Sequence, residues 1–291
     1  MAKYKKRSYG KLSAGTVAVL VLVFIVLYVF DAIGGAGNNS ISGDCEFHFV
    51  DVGQGDCAMI ISEEAVVVID AGPQDHAEST EKYIKSYTDT IDYLILTHPH
   101  EDHIGGADEL FESIKVKNVL LSDAYTDTVT FTKLLDVIDK SGANVIEAKA
   151  GDSYNAGDIK FTVLAPLSEF TDLNDYSVVT KVEYGSTSAI ITGDVEHNNE
   201  RLMAEEYTYF GLHANIYQVA HHGSSTSNHE DFIDAVSPDF AVIQCGEDNS
   251  YGHPHFETID KLEERKIPYY RTDKMGHIVF VSDGKDVWLA D

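Results

Sequence analysis

Short apolar segments separated by polar stretches run through the chain from residue 44 onward. They are five to eight residues long, and turn-forming residues stand between them, which is typical of β-strands. The pattern predicts thirteen strands, at 46–52, 57–62, 65–70, 92–97, 116–121, 158–165, 177–184, 188–194, 215–220, 240–245, 267–272, 276–282 and 286–290.

Four segments between these strands instead have helical composition and spacing, at 128–141, 198–210, 230–236 and 255–265. Strands first come in pairs and then alternate with helices, and this order occurs twice along the chain. It predicts one α/β domain in which two mixed sheets pack face to face with helices outside, an αββα sandwich.

The amino-terminal region follows a different pattern. Residues 12–30 contain no charged side chain, and as a helix they would span about 28 Å, enough to cross a bilayer core. Five basic residues precede them, so the positive-inside rule places the amino terminus in the cytoplasm. We therefore predict a cell-membrane protein with a cytoplasmic basic tail (1–11), a single transmembrane helix or signal anchor (12–33), a flexible linker (34–43) and an extracellular domain (44–291). The alternative is a cleaved signal peptide, which would leave the domain secreted.

The charge of the chain excludes one class of function. The sequence has 21 basic and 48 acidic residues, a net charge of −27, and from residue 44 onward 16 basic and 47 acidic residues give −31. Such a surface repels polyanions, so we expect no general nucleic-acid binding surface. An anionic substrate would need a local positive group, and a pair of metal ions would serve.

Polar residues stand at the ends of four predicted strands, where loops form the functional edge of layered α/β folds. They are Asp70, His98, Asp194 and the pair His221 and His222. We expect these four strand ends to converge on one site.

The segment "LTHPHEDHIGG" has the side chains and the spacing of a metal site. His98 and His100 are two residues apart, so in extended backbone both point to one side and can hold one ion. Asp102 and His103 follow where the chain turns into a helix, and can face a second ion. Asp194 can bridge the two ions with its two oxygens. Ligands of this kind suit two divalent cations, with Zn²⁺ favoured and Mn²⁺ or Fe as alternatives.

The order of these motifs resembles that of the metallo-β-lactamase fold of αββα hydrolases. More narrowly, the chain is similar to the hydrolase domain of ComEC-type competence proteins and to the related phosphorylcholine esterases of bacterial surfaces. The resemblance covers about 44–291 and rests on these segments: "HFVDVGQGDCAMI" (48–60), "VIDAG" (68–72), "THPHEDHIGG" (97–106), "ITGD" (191–194), "VAHHGSSTS" (219–227) and "YGHPH" (251–255).

This resemblance implies a dinuclear metal centre. The implied ligands are His98 and His100 for the first ion, Asp102 and His103 for the second, Asp194 as the bridge, and His221 or His222 to complete the second site. The sequence leaves the choice between His221 and His222 open. Asp70 would orient a metal-bound histidine from behind.

One departure from the family pattern affects the first ion. Enzymes of this fold place a further histidine before the bridging aspartate, but this chain has none from 104 to 193. The segment "LNDYS" (173–177) stands there instead, so a water, Asn174 or Asp175 would have to fill the position. The departure lowers our expectation of β-lactam hydrolysis.

The function predicted on this basis is a membrane-tethered, extracytoplasmic metal hydrolase that cleaves a phosphodiester or related ester by a hydroxide held on the two metals. The substrate would be DNA or a cell-surface phosphoester. Asp102 would be essential, and His222 or His253 would give a proton to the leaving oxygen.

Two questions remain open at the level of sequence. Asp51, Gln54 and Asp56 in "DVGQGD" are either neighbours of the site or turn-forming residues. The alternative functions are a β-lactam or thioester hydrolase of the same fold and a metal-binding module without catalytic activity.

Overall fold

Two mixed β-sheets form the inner layers of the structure. The computed structural model describes residues 43–207 and 209–290. The first sheet contains β1 (Cys45–Phe49), β2 (Ala58–Ser62), β3 (Val66–Ile69), β4 (Thr90–Leu96), β5 (Lys115–Leu121), β6 (Asn144–Glu147), β14 (Ile278–Ser282) and β15 (Val287–Leu289), in the order β15-β14-β1-β2-β3-β4-β5-β6. The second contains β7 (Ser153–Ala156), β8 (Ile159–Ala165), β9 (Val179–Tyr184), β10 (Thr187–Ile191), β11 (Ile216–Gln218), β12 (Phe240–Ile243) and β13 (Tyr269–Arg271), in the order β13-β12-β11-β10-β9-β8-β7.

Helices form the two outer layers. Side chains of α1 (Ala77–Lys85), α3 (Ala107–Ser113) and α4 (Val129–Ser141) pack on the outer face of the first sheet. Those of α5 (His197–Glu206), α7 (Glu230–Val236) and α8 (Phe256–Glu264) pack on the second. The remaining α-helices of the described residues are single turns, α2 (Glu101–Ile104), α6 (Tyr209–Leu212) and α9 (Thr272–Met275). Short 3-10 helices lie at Gln74–His76, Asn174–Tyr176 and Ala220–Gly223.

The largest apolar core lies between the two sheets. Phe47 and Ile60 of the first sheet and Phe161 and Ile191 of the second belong to it, and each is at most 1% exposed. Burying a side chain of this size stabilises the fold by about 1.5–3 kcal/mol. The prediction of two sheets packed face to face with helices outside is confirmed.

The structure adds elements that the apolar pattern does not predict. Strand β6 is mostly exposed, with two polar residues among its four, and β7 (Ser153–Ala156) has little buried apolar surface. Both are edge strands, so backbone pairing with one neighbour, and not burial of side chains, determines them. Helix α1 buries only Ala77, Thr80 and Ile84, which leaves a weak apolar signal.

The topology brings the polar strand ends together. Strands β3 and β4 are parallel neighbours in the first sheet, and β10 and β11 are parallel neighbours in the second. Parallel strands have their carboxyl ends at the same edge of a sheet. Asp70 and His98 therefore meet at one edge, as do Asp194 and His221.

The predicted transmembrane segment (12–33) lies outside the described residues, together with the tail before it and nearly all of the linker after it. Within residues 43–207 and 209–290, no helix has the length and apolar character needed to cross a bilayer. The membrane anchor stays a prediction.

Candidate metal centre

Asp70 fixes the orientation of His103. It follows β3 in a left-handed backbone conformation (φ 59°), and its two oxygens accept from Thr97 N and Thr97 Oγ1, at 2.8 and 2.7 Å. Asp70 Oδ2 also lies 2.8 Å from His103 Nδ1. The N–H of His103 thus points at a carboxylate, and its Nε2 is left free to act as a ligand.

One group of potential ligands surrounds that nitrogen. Asp102, His103, Asp194 and His222 each place one ligand atom within 4.8 Å of the others. His103 Nε2 lies 3.1 Å from Asp194 Oδ1. His222 Nε2 lies 3.4 Å from the same oxygen and 3.3 Å from Asp102 Oδ2. We call these four residues the second ligand group.

Another group consists of His98, His100 and Asp194, and we call it the first ligand group. His98 Nε2 lies 2.9 Å from His100 Nδ1 and 3.8 Å from Asp194 Oδ2. Asp194 therefore turns one oxygen to each group. This is the arrangement of a carboxylate that bridges two ions.

The unpaired atoms of this cluster fit a divalent cation. His103 Nε2, His222 Nε2 and Asp194 Oδ1 are buried and have no hydrogen-bond partner. Leaving a buried polar group unpaired costs about 1–3 kcal/mol, and all three atoms belong to one ligand group. Nitrogen and carboxylate ligands without sulfur are those that Zn²⁺, Mn²⁺ and Fe accept.

The electrostatics of the cluster also favour a cation. Burial acts against ionisation of Asp194, yet His103 and His222 hold its pKa well below the ordinary value. Burial likewise opposes protonation of His103, but Asp194 and Asp70 raise the pKa of that imidazole well above its ordinary value. The Asp194 carboxylate thus stays ionised and attracts positive charge, either protons or metal ions.

The structure places His222 in the second ligand group, whereas His221 belongs to neither group and approaches the Asp194 oxygen that faces the first. His221 Nε2 lies 3.6 Å from Asp194 Oδ2, and its Nδ1 lies 3.4 Å from Glu196 Oε1. Both histidines have left-handed backbone (φ 53°), a conformation that costs about 1–3 kcal/mol for such residues. Asn228 supports this strained turn by hydrogen bonds to Ala220 N and O, at 2.9 Å each.

Sequence reasoning missed a network of buried amides behind the centre. Gln218 Oε1 accepts from Thr192 N and Gly193 N, at 2.9 and 3.3 Å. Its Nε2 donates to Asp56 Oδ2 at 3.0 Å and to Gln244 Oε1 at 2.8 Å. The available signal was a glutamine inside each of two otherwise apolar strand segments, "NIYQVA" and "FAVIQC".

This network reaches both sides of the centre. The backbone held by Gln218 leads directly into Asp194. Asp56, held by the same amide, places Oδ1 3.2 Å from His222 Nδ1, which also lies 3.0 Å from Gln244 O. Asp56 thus lies beside the second ligand group, where it can orient the ring of His222.

Asp51 makes its contacts at a turn. Its Oδ1 accepts from Gly53 N at 3.2 Å, and its own N–H donates to His277 Nδ1 at 3.0 Å. These contacts hold the turn of "DVGQGD" and do not reach the ligand groups. The turn-forming interpretation is the one that the structure supports for Asp51.

A cavity of about 620 Å³ opens over the centre. Among the described residues that line it are Asp102, Asp194 and His222, and none is Lys or Arg. Gln54 Nε2 and His253 Nδ1 are buried in its wall without a hydrogen-bond partner. The wall therefore offers polar contacts to a substrate but no cationic side chain.

The two histidines predicted as proton donors differ in their protonation. Burial, with a contribution from the neighbouring His222, lowers the pKa of His253 to about 4, so its ring is neutral at pH 7. His222 Nε2 lies in the second ligand group and its Nδ1 faces Gln244 O. Burial opposes protonation of His222, but Asp194 and Asp56 raise its pKa well above the ordinary value. A cation bound at its Nε2 would take the place of that proton.

Comparison with known proteins agrees with this geometry. The sequence profile of the metallo-beta-lactamase superfamily matches residues 50–247. ComE operon protein 3 of Bacillus subtilis is 30% identical over 300 residues, which cover 95% of this chain and 37% of that protein. Recombination protein 2 of Haemophilus influenzae is 28% identical over 240 residues, covering 79% and 28% respectively. The chain thus spans about a third of the length of these relatives.

The fold also matches solved structures. Igni18, described as a novel metallo hydrolase from the archaeon Ignicoccus hospitalis, superposes with a TM-score of 0.53 over 84% of this chain and 99% of its own, at 14% identity. At that identity the likeness shows the fold alone. The profile match extends from the loop before β2 to the loop after β12 and includes both ligand groups. The chain belongs to the metallo-beta-lactamase superfamily, and its homologues include ComE operon protein 3 and the protein named Competence protein ComA of Neisseria gonorrhoeae.

Proposed function

We propose that the chain is a dinuclear metal hydrolase that cleaves a phosphodiester or related ester outside the cytoplasm, tethered to the membrane by its amino-terminal segment. The observation that carries the proposal is Asp194, whose two oxygens face two separate ligand groups inside one open cavity. Two bound divalent cations would activate water and supply the positive charge that the cavity wall lacks.

The residues of the chain have definable tasks in this reaction. Asp70 holds the N–H of His103, and Asp56 with Gln244 O holds that of His222, so each ring presents Nε2 to the centre. Because these partners are themselves bonded, the ligands are held before a substrate arrives. Preorganised ligands of this kind reduce the free energy needed to reorganise the site during the reaction.

Gln54 is the best placed residue for binding the substrate. Its Oε1 accepts from Gly246 N at 3.1 Å, which fixes the side chain, and its Nε2 is buried without a partner in the cavity wall. An amide N–H there can donate to a phosphoryl oxygen. This donor fits an anionic ester that the acidic domain would otherwise repel.

The charge of the domain favours a small diester over a long polyanion. Every phosphate outside the centre would face a domain of net charge −31. A single phosphodiester carries one negative charge and can be neutralised locally. A cell-surface phosphoester meets this condition, whereas a DNA strand brings further phosphates that the acidic domain repels.

The central test is hydrolysis of bis-p-nitrophenyl phosphate by the purified protein with Zn²⁺ or Mn²⁺, with and without a chelator, beside nitrocefin as a β-lactam. We expect metal-dependent cleavage of the phosphodiester. Cleavage of nitrocefin alone would show a β-lactamase, and two bound ions without turnover of any ester would show a metal-binding module.

The variant Asp102→Ala tests the second ligand group. Asp102 lies 3.3 Å from His222 Nε2 and is partly exposed, so its removal should leave the fold intact. We expect the variant to lose one of two ions by elemental analysis and to lose its activity. The exposed Asp136→Ala on α4 is the matched control. Full activity in Asp102→Ala would refute the assignment.

The proposed tether is tested with the full-length chain in cells. We expect it to sediment with membranes and to be digested by protease added outside intact cells. If the protein is instead recovered from the medium with a shortened amino terminus, the segment is a cleaved signal peptide. Recovery in the cytoplasmic fraction would contradict both.

A further inference from the structure

The two ligand groups are unequal. The second contains four side chains, and the first contains three, among the His, Cys, Asp and Glu residues of the described chain. Structural and catalytic metal sites in proteins commonly have at least three protein ligands plus one more position. A side chain of another type can occupy the remaining position of the first ligand group.

Asn174 is available for that position. It lines the same cavity as His100 and Asp194, it is only 9% exposed, and its carbonyl oxygen Oδ1 is buried without a hydrogen-bond partner. A buried amide oxygen without a partner is uncommon, because each such group costs free energy. An amide oxygen is an ordinary ligand for divalent cations.

The segment that carries Asn174 is fixed against the first ligand group. Ser177 Oγ lies 3.4 Å from His98 Nδ1 and accepts from Asp194 N at 3.1 Å. Val178 N donates to Thr97 O at 2.9 Å. Asn174 is thus three residues from a side chain that contacts two of the three ligands.

Asp175, the neighbouring carboxylate, is engaged elsewhere. Its Oδ1 accepts from Glu196 N at 3.2 Å, and its backbone oxygen accepts from Asn199 Nδ2 at 2.8 Å. It is absent from the described residues that line the cavity, whereas Leu173 and Asn174 are present. Its contacts attach the segment to α5.

We propose that Asn174 Oδ1 is the fourth protein ligand of the cation held by His98, His100 and Asp194. The inference rests on the dinuclear centre of the proposed function. An oxygen at this position makes the first site harder than a third histidine would, so it binds Zn²⁺ less strongly relative to Mn²⁺. The second site, with two imidazoles and two carboxylates, lacks this amide.

The test is metal binding by the full chain, measured as ions per chain after dialysis and as affinity in competition with a chromophoric chelator. We expect the wild type to bind two ions with different affinities. Asn174→Ala should lose the weaker ion, or bind it roughly tenfold or more weakly, and should keep the tighter one. Asp175→Asn is the matched control and should keep both.

Two further variants keep the test decisive if Asn174→Ala is unstable. Asn174→Asp retains an oxygen and should bind two ions, and Asn174→His should shift the Zn²⁺ to Mn²⁺ affinity ratio of the first site by roughly tenfold or more. Two ions with unchanged affinities in the Ala and His variants would overturn the proposal for Asn174 alone. If the wild type binds fewer than two ions, both the Asn174 proposal and the dinuclear centre are overturned. If it binds two ions but hydrolyses no ester, only the hydrolase function is overturned.

Discussion

At the scale of single residues, buried amides and carboxylates orient the ligands of this centre. Gln218 is nearly inaccessible (1% exposed) and uses both ends of its amide. One end holds the backbone that leads into Asp194, and the other holds Asp56, which faces His222. A single side chain therefore aligns ligands that are far apart in the sequence.

Replacing Gln218 by Met should weaken metal binding while leaving every ligand in place. The variant keeps the volume of the side chain. It leaves the N–H groups of Thr192 and Gly193 and an oxygen of Asp56 without their hydrogen-bond partner. We expect metal affinity to fall by about 10–100-fold. The free energy of unfolding should fall by about 1–3 kcal/mol for each buried polar group left without a hydrogen-bond partner.

Chelator competition and denaturant unfolding measure the two effects in Gln218→Met. The exposed Gln74→Met is the matched control. Unchanged metal affinity in a folded Gln218→Met protein would contradict the positioning role.

Gln54→Glu tests the proposed substrate contact. The variant keeps the oxygen that accepts from Gly246 N and replaces the unpaired donor by a negative charge. A hydrogen bond to a charged group contributes about 1.5–3 kcal/mol, so kcat/KM for a phosphodiester should fall about 10–100-fold.

Gln54→Leu removes the N–H donor without adding a charge, so its kcat/KM for a phosphodiester should fall less than that of Gln54→Glu. Steady-state kinetics with a phosphodiester and with an uncharged ester separate the two effects. An equal loss on both substrates in Gln54→Glu would argue against contact with an anion.

At the scale of elements, helix α5 supports the strained turn that carries His221 and His222. Glu200 on this helix accepts from Asn228 N and His229 N, at 2.7 and 2.8 Å. Asn228 in turn bonds to Ala220 and Ser224. The helix thereby fixes the segment between β11 and α7.

Glu200 should make the stability of the metal-free protein depend on pH. Burial raises the pKa of Glu200 from 4.5 to about 8, so the folded state binds one more proton than the unfolded state between these values. Its stabilising contribution is complete below pH 4.5 and declines toward pH 8, by at most about 1.4 kcal/mol per pH unit.

Comparison with Glu200→Gln isolates this effect. Both proteins are unfolded in the presence of a chelator. As pH rises from 5 to 8, the unfolding free energy of the wild type should fall relative to that of Glu200→Gln. Glu205→Gln, on the exposed face of the same helix, should show no such trend. A constant difference would mean that Glu200 titrates at its ordinary pH.

At the scale of the whole molecule, the net charge of −31 from residue 44 onward acts on every approaching substrate. At an ionic strength of about 0.01 M this field extends roughly 30 Å, and at 0.15 M about 8 Å. A protein with a basic groove loses affinity for nucleic acid as salt rises. The acidic surface of this domain predicts instead that interaction with a nucleic acid becomes more favourable as salt rises.

Raising NaCl from about 0.01 to 0.15 M should therefore increase kcat/KM for a single-stranded oligonucleotide by weakening repulsion. The same change should have little effect on bis-p-nitrophenyl phosphate, which has one charge. Initial rates at constant pH and metal concentration measure both. A decrease with the oligonucleotide would reveal a positive binding surface that the charge pattern does not predict.

The sequence was sufficient for the parts of the molecule that depend on local pattern. Apolar runs predicted the central strands, and the spacing of His98, His100, Asp102 and His103 predicted their convergence with Asp194. The sequence was insufficient for features that tertiary contacts determine. The choice between His221 and His222 depends on a strained turn, and the role of Gln218 on the packing of two sheets. Asp51 and Asp56 lie in one motif, yet only Asp56 reaches the centre.

Each ligand group draws on both sheets, since the loop after β4 supplies His98 to His103 and the loops after β10 and β11 supply Asp194 and His222. A cation held between them would act as a cross-link between the two halves of the sandwich. Neither half alone could retain it, so loading must follow docking of the sheets. Added metal should accordingly raise the melting temperature, because it binds the folded chain in preference to the unfolded one.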